Sequence, residues 1–454
     1  MNDAGADTEI SYATSFPLPY RVLSLAGIGI LGWATNLHGL DALGIDVIST
    51  MDLDLRKNTG DSFSSKHNKS AADVYRAVYR IAFAYASWCL LSWILFRFAT
   101  RSNTVLVDVF GYVPGVTALV VLFVLVCPFD IMYKSERDKF ISAIKRCAFP
   151  SSMDSSVYFA DVVFADIFTS FAKVLGDVWL CLLMLFPGSS MLHPPAGNGL
   201  LRWVMPTIMS LPYFVRFRQC IREWSSSDDD SRRPLYNALK YATAFPLIYL
   251  SAAQRIVVSD LMDEKGEDAM NSAWHGEHPL FRLWLLSAAI NSLYSFWWDI
   301  TNDWGLELLK PKSSRSSERP LPRRLVLPRL HSGSALLNRE TGNESDQLQY
   351  YGLRSTLLYP LPVYPFLVFL NFFLRMSWSV KLSSHLHSTD GSITIFLIEV
   401  AEIVRRWMWV FIRVEWEYVK KARERAGRLR QASLDDDEPE YELNPPTPEL
   451  EGRP

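Results

Sequence analysis

The sequence lacks the short motifs that mark common catalytic and metal-binding sites. Its cysteines, five in 454 residues, stand singly at positions 89, 127, 147, 181 and 220, mostly within apolar stretches. They form neither a CxxC pair nor a recognisable disulfide framework, so we interpret them as buried thiols. The sequence contains no P-loop, GxGxxG, HExxH or GxSxG motif and no Cys/His metal spacing. We therefore expect no enzymatic activity, no cofactor and no metal.

The sequence also has little net charge, and its first residues lack the basic n-region of a cleaved signal peptide. The formal charge of −2 excludes the overall basic surface of a nucleic-acid-binding protein, so no nucleic-acid partner is expected. The first ten residues, MNDAGADTEI, are acidic and have no basic n-region typical of a signal peptide. The first apolar stretch is therefore expected to remain in the protein as a membrane span.

Apolar and aromatic residues are abundant. Hydrophobic residues make up 49% of the chain and aromatic residues 13%, with 15 tryptophans, a composition more typical of membrane proteins than of soluble domains. A span requires about 20 mainly apolar residues. The sequence therefore predicts an all-α, polytopic membrane bundle of about nine transmembrane helices. The candidate spans are 18–37, 75–98, 105–127, 157–186, 200–221, 236–258, 279–303, 355–379 and 392–416.

The distribution of Lys and Arg between alternate loops supports this segmentation. Loops 38–74, 128–156, 222–235 and 304–354 together carry 21 of these residues, whereas the four intervening loops carry three. Because positive charge collects on the cytoplasmic side, the N-terminus is placed in the lumen or outside, and the C-terminal tail in the cytosol.

The predicted organisation follows from these boundaries and from composition. A short luminal N-terminus, a set of N-terminal membrane helices and a second transmembrane domain precede a cytosolic tail. The second domain includes a Ser/Pro/Arg-rich loop that we expect to be flexible, and the acidic, Pro-rich tail is expected to be disordered. The boundaries are 1–17, 18–156, 157–419 with the loop 310–350, and 420–454.

Charged residues lie within several predicted spans. The last span contains Glu399, Glu402, Arg405 and Arg406 in the middle of its apolar run. A charge at the bilayer centre costs about 2.5–3.5 kcal/mol on insertion scales. Glu402 lies three and four residues before the two arginines and therefore shares their helix face. One interpretation is an arginine-lined cavity inside a bundle; the alternative is a short core helix whose arginines reach the surface.

Other spans add similar charges. Lys240 and Arg375 are cations near span ends that could also extend to lipid headgroups, and Asp299 and Asp303 could be ordinary cytoplasmic helix-end residues. Asp166 belongs to a polar stripe that could instead join neighbouring helices. Taken together, cations from three separate spans favour passage of a small, strongly hydrated anion, since guanidinium groups match the oxygens of phosphate or carboxylate.

Several of these stretches resemble the EXS-domain family of phosphate exporters related to the xenotropic and polytropic retrovirus receptor. The stretch 16–48 is also similar to the family's early membrane region. The matching stretches are FADVVFADIFTSF (159–171), RFRQCIREW (216–224), NALKYAT (237–243), SFWWDITNDWGLELL (295–309), FLRMSWSVKLS (373–383) and EIVRRWMWVFIRVEWE (402–417).

The resemblance implies a fold, a substrate and site residues. In the family the last six helices enclose an anion pathway. Phosphate-contacting roles fall on Lys240, Tyr241, Arg375, Trp378, Arg405 and Arg406. Supporting or gating roles fall on the carboxylates of Asp166, Asp299, Asp303 and Glu402.

The front of the chain departs from the long family members, because about 17 residues precede the first span where those members carry an SPX sensor domain. This organisation without an SPX domain resembles that of short fungal family members in the Golgi membrane. The resemblance implies a channel-like or facilitative return of phosphate from the Golgi lumen to the cytosol, which supports glycosylation and the retention of ER and Golgi proteins. The endoplasmic reticulum and the plasma membrane are the alternative locations.

Two other classes of function stay open from the sequence. The first is a Golgi sorting adaptor that recruits coat or retention factors through its tail, and the second is a membrane glycosyl- or phosphotransferase. The expected partners of the transporter are inorganic phosphate and the lipid bilayer, with a homodimer left open.

Overall fold

The structure is a computed structural model. It describes residues 11–53, 70–101, 103–130, 132–150, 157–186, 189–192, 199–226, 231–265, 279–308, 353–354, 356–376 and 392–436. Within these ranges the chain forms helices joined by turns, with no β-strand. The α-helices, in chain order, are α1 Leu18–Ala42, α2 Val47–Thr50, α3 Ala71–Thr100, α4 Thr104–Val109, α5 Tyr112–Val126, α6 Lys134–Ala148, α7 Phe159–Thr169, α8 Ala172–Met184, α9 Val204–Ser226, α10 Arg233–Ala242, α11 Ala244–Lys265, α12 Pro279–Trp298, α13 Val363–Arg375 and α14 Ser392–Asp436.

Two stretches of the described chain are long and apolar enough to cross a membrane. They are Ala71–Thr100 and Thr104–Val126, and both present apolar side chains such as Phe98 and Phe123 on the outside of the protein. A third span results if the bent pair α7 and α8 crosses as one unit. The all-helical, membrane-type fold is therefore confirmed, whereas the count of nine spans stays a prediction.

Two predicted spans are interrupted in the structure, one at a stretch without proline and one three residues before Pro246. The span predicted over 157–186 bends by 62° between α7 and α8, where Thr169 Oγ1 donates to the backbone oxygen of Asp166 at 2.7 Å. The span predicted over 236–258 is interrupted at Thr243, whose Oγ1 donates to the backbone oxygen of Lys240 at 2.8 Å. Such side-chain bonding competes with the helical hydrogen bonds and bends the chain. Both breaks lie next to residues singled out from the sequence.

The end of α12 is widened into one turn of π-helix, Asp299–Asp303. A π turn is rare and is found mostly at functional sites. The chain then reverses at Gly305, whose φ of +62° is in the left-handed region that glycine tolerates. The ring of Trp416 packs directly on this glycine, where an added Cβ would lie 2.5 Å from the ring. This close contact fixes the π turn against α14.

Helix α14 is the longest element, with 45 residues, and packs against α1, α2, α7 and α13. Its buried residues Trp409 and Ile412 belong to the largest hydrophobic core, which also contains Ile300 and Trp304 from the turn after α12. The helix continues to Asp436, so the prediction of disorder does not hold for residues 420–436. Residues 437–454 and the predicted flexible loop 310–350 lie outside the described residues.

The amphipathic helix α6 is fixed to the bundle at its C-terminal end. Arg146 forms two hydrogen bonds to the carboxylate of Asp161, at 2.6 and 2.7 Å. Arg218 of α9 donates to the backbone oxygens of Cys147 and Ala148. Burial raises the pKa of the Cys147 thiol to about 11, and the nearby negative charge of Asp161 acts in the same direction. This thiol is therefore protonated and unreactive at neutral pH.

Candidate functional site

Asp299 is the centre of the candidate site. Its side chain has no exposed surface and accepts hydrogen bonds from cations of two other helices. Lys240 Nζ donates to Oδ1 at 2.9 Å, and Arg375 Nη2 donates to Oδ2. Arg405 Nη1 lies 3.9 Å from the same Oδ2. One carboxylate thus draws together positive side chains from α10, α13 and α14, because a buried charge is stable only when it is paired.

Two further carboxylates share these cations. Asp303 Oδ2 accepts from Lys240 Nζ at 2.9 Å, while its Oδ1 accepts from Trp298 Nε1 at 3.2 Å. The π turn brings Asp303 to the same ammonium group as Asp299, four residues earlier. Glu402 Oε2 accepts from Arg405 Nη2 at 2.7 Å and from Nε at 3.1 Å, in agreement with their spacing on one helix face.

The cations point into the protein. Lys240, Arg405 and Arg406 are each 5% exposed, and the side chain of Arg375 is 10% exposed. The alternative in which Lys240 and Arg375 extend to lipid headgroups is therefore wrong, as is the alternative in which the arginines of α14 reach the surface.

Arg406 differs from the other cations because no carboxylate of the described residues forms an ion pair with it. Its Nε donates to Ser170 Oγ at 3.2 Å and its Nη2 to Thr169 Oγ1 at 3.0 Å. Its guanidinium carbon lies 4.6 Å from the centre of the Trp409 ring. The two hydroxyls belong to the bend between α7 and α8, so the broken helix supplies the acceptors that hold this buried positive charge.

A second group of side chains is built around Asp166. Its Oδ1 accepts from Arg216 Nε at 2.8 Å and from Tyr241 Oη at 2.5 Å. Arg216 Nη1 donates to Gln219 Oε1 at 2.5 Å, and its guanidinium carbon lies 4.9 Å from the centre of the Tyr241 ring. The sequence singled out Asp166 and Tyr241 but missed Arg216 and Gln219. The signal was present, since Arg216 is a charged residue inside the predicted span 200–221 and Gln219, three positions later, shares its helix face.

A separate polar group lies on α8 and the first half of α14. Lys173 forms an ion pair with Asp177 on its own helix and lies 3.8 Å from Glu399 Oε1. This is the arrangement expected of polar side chains that join neighbouring membrane helices. Glu399 therefore belongs to this contact between helices rather than to the group around Asp299.

The structure brings nine of the ten predicted site residues into adjoining networks. Trp378 lies outside the described residues. The nine described residues and Arg216 are together called the central cluster. Its members are Asp166, Arg216, Lys240, Tyr241, Asp299, Asp303, Arg375, Glu402, Arg405 and Arg406. The cluster contains five cations and four carboxylates, so its formal charge is one positive unit.

The central cluster has unused hydrogen-bond donors. Arg375 Nε, Arg405 Nη1 and Arg406 Nη1 are buried and have no hydrogen-bond partner within the described part of the chain. A buried donor left without an acceptor costs about 1–3 kcal/mol. An anion with several oxygens would satisfy such donors and neutralise the excess charge, so the arrangement can bind an oxyanion.

An apolar helical exterior that encloses a charged cluster defines an α-helical membrane protein with an internal polar site. The EXS family model matches residues 16–419, and the chain belongs to the EXS family. The matched region includes every residue of the central cluster.

Related proteins fall into two groups. The chain is 28% identical over 413 residues to protein ERD1 homolog 1 of Schizosaccharomyces pombe, covering 89% of this chain and 91% of the relative. It is 26% identical over 371 residues to protein ERD1 of Kluyveromyces lactis, covering 78% and 82%. It is also 26% identical over 312 residues to phosphate transporter PHO1-2 of Oryza sativa subsp. japonica, covering 67% of this chain and 31% of the relative. The chain thus spans nearly all of the first yeast relative and about a third of the rice relative.

Proposed function

We propose that the chain is a channel-like or facilitative transporter that moves inorganic phosphate from the Golgi lumen to the cytosol. The observation that carries this proposal is Arg406, a buried guanidinium without a carboxylate partner in the described chain, next to Arg405 with its own unused donor. An ionisable group at membrane depth points to a binding site or pathway. The rice relative is named a phosphate transporter, which supports phosphate as the anion.

The geometry of the central cluster suits a phosphate that binds and leaves. Guanidinium groups match phosphate oxygens two at a time, so Arg375, Arg405 and Arg406 are the proposed first contacts, with Lys240 as a point charge. The carboxylates Asp299 and Glu402 compete with phosphate for the same cations. Such competition keeps binding weak enough for release, which conduction requires.

The remaining predicted residues have proposed roles beside these contacts. Tyr241 and Trp378 are proposed to line the route, and Asp166 and Asp303 to hold Tyr241 and Lys240 in place and to open and close it. Phosphate loses water on entry from the lumen and leaves toward the basic cytoplasmic loops. The Golgi location and the support of glycosylation and of protein retention come from the resemblance to short fungal members.

Uptake of radiolabelled phosphate into liposomes that contain the purified chain tests this function. The wild type is expected to take up phosphate above empty liposomes, and the double variant Arg405→Ala, Arg406→Ala is expected to lose nearly all of this uptake. Arg425→Ala, an exposed site on the same helix α14, is the matched control and is expected to retain it. Uptake that is unchanged in the double variant would remove these arginines from the mechanism.

The adaptor hypothesis makes the opposite prediction. In that hypothesis the tail 420–454 recruits coat or retention factors, so removal of residues 437–454 from this tail would abolish the cellular function, and the double arginine variant would retain it. Comparison of the two variants in cells that depend on the protein separates the hypotheses, because the transporter is expected to tolerate loss of these terminal residues.

A further inference from the structure

A cavity of about 260 Å³ lies beside the central cluster. This volume far exceeds the roughly 10–15 Å³ of such space that one water molecule needs. Its lining includes Glu223 and Arg233, which belong to the predicted cytoplasmic loop 222–235. The cavity is therefore placed at the cytosolic end of the bundle.

Four cations line this cavity, namely Arg216, Arg233, Arg413 and Lys420. They come from α9, the start of α10 and two turns of α14. Arg413 is mostly buried, lies over the ring of Phe159 and forms an ion pair with Glu417 at 3.2 Å. Four carboxylates also line the cavity, so its lining is formally neutral: Asp166, Glu223, Asp303 and Glu417. Asp166, Asp303 and Glu417 form ion pairs with cations of the protein. A balance of cations and carboxylates suits weak and reversible binding of an oxyanion.

The inner wall of the cavity is also the wall of the central cluster. Asp166, Asp303 and Trp298 line the cavity, and the same two carboxylates accept hydrogen bonds from Tyr241 and Lys240. One layer of side chains therefore separates the cavity from the proposed phosphate site. Arg216 belongs to both, since it lines the cavity and holds Asp166 at 2.8 Å.

We propose that this cavity is a second, weaker oxyanion site from which phosphate leaves for the cytosol, and that Arg216 transfers the anion to it. This inference rests on the proposed phosphate transport. Arg216 exchanges the carboxylate of Asp166 for the passing phosphate, and because both present paired oxygens to a guanidinium, the buried charge stays paired throughout. Arg413 and Lys420 then hold the anion at the outer end.

Thiol labelling tests binding in the cavity without measuring transport. Asn237 lines the cavity, so Asn237→Cys in the full-length, detergent-purified chain adds one reactive thiol to the background of the native cysteines. Inorganic phosphate is expected to slow N-ethylmaleimide modification of this thiol, by about tenfold at ten times the Kd. In the same background Arg413→Gln is expected to abolish protection, whereas Arg425→Gln, exposed on the same helix, is expected to preserve it.

Two results would overturn the assignment of the cavity. One is a labelling rate that phosphate leaves unchanged, and the other is protection that survives Arg413→Gln. If wild-type liposomes still transport phosphate in either case, this inference fails and the proposed function stands. If the wild type transports no phosphate, the proposed function fails as well.

Transport assays test the role of Arg216 itself. Arg216→Lys keeps the charge but loses the planar fork, so phosphate uptake is expected to fall by about tenfold, the change expected on losing one hydrogen bond to a charged group. Thermal stabilisation of the variant by phosphate is expected to persist, since Arg375, Arg405 and Arg406 remain. Uptake equal to that of the wild type would show that Arg216 does not transfer the anion.

Discussion

Replacement of Arg406 by Gln is expected to remove phosphate transport while leaving the protein as stable as the wild type, or more stable. The variant loses two hydrogen bonds to the hydroxyls of Thr169 and Ser170, at 3.0 and 3.2 Å. Each hydrogen bond to a charged group contributes about 1.5–3 kcal/mol. Against this, the variant no longer buries a charge without a counter-ion, and desolvation of such an ion costs several kcal/mol. The two terms nearly cancel.

Asp299→Asn provides the contrast, because it removes the carboxylate shared by Lys240, Arg375 and Arg405. Loss of one partner of a buried ion pair costs about 3–5 kcal/mol. Thermal unfolding of the detergent-purified proteins is therefore expected to show a strongly lowered Tm for Asp299→Asn and an unchanged or raised Tm for Arg406→Gln. Phosphate is expected to raise the Tm of Arg406→Gln less than that of the wild type. A large loss of stability in Arg406→Gln would refute the idea that this arginine is kept for binding rather than for structure.

Two further predictions concern the structure around the site. Gly305→Ala is expected to lower the Tm, because the left-handed backbone costs about 1–3 kcal/mol for other residues and the new methyl group meets the ring of Trp416. Gly427→Ala, on an exposed part of α14 with open space around the added methyl group, is the control and is expected to stabilise the helix by about 0.8–1 kcal/mol. With a pKa near 11, Cys147 is expected to stay unmodified by maleimide at pH 7 and to react as the pH rises. Arg218→Gln is expected to release the end of α6 and speed that reaction; equal rates would show that this contact does not hold the helix.

The sequence was most informative about charges at membrane depth. Burial of Lys240, Arg375 and Arg405 is unfavourable unless each positive charge has a partner. The structure pairs all three with Asp299. The same reasoning applied to Arg216, which lies inside the predicted span 200–221, would have found the partner of Asp166. Whether these residues contact phosphate stays a prediction.

The local backbone could not be predicted in the same way. The bend at Thr169 coincides with a single hydroxyl hydrogen bond, which leaves no signal comparable to proline. The break at Thr243, by contrast, lies three residues before Pro246. The π turn depends on tertiary contacts with α14. Arg354 was counted among the cytoplasmic loop cations, yet it is 4% exposed and forms an ion pair with Glu415, because its partners come from distant parts of the chain.

In the proposed mechanism, phosphate binds among the arginines of the central cluster. A cryo-EM structure of the chain in lipid nanodiscs with saturating phosphate would show the anion in place. We expect a tetrahedral density within hydrogen-bond distance of Arg375 Nε, Arg405 Nη1 and Arg406 Nη1, the donors without partners in the described chain. A map that shows these nitrogens bonded only to protein groups, with no anion beside them, would contradict it.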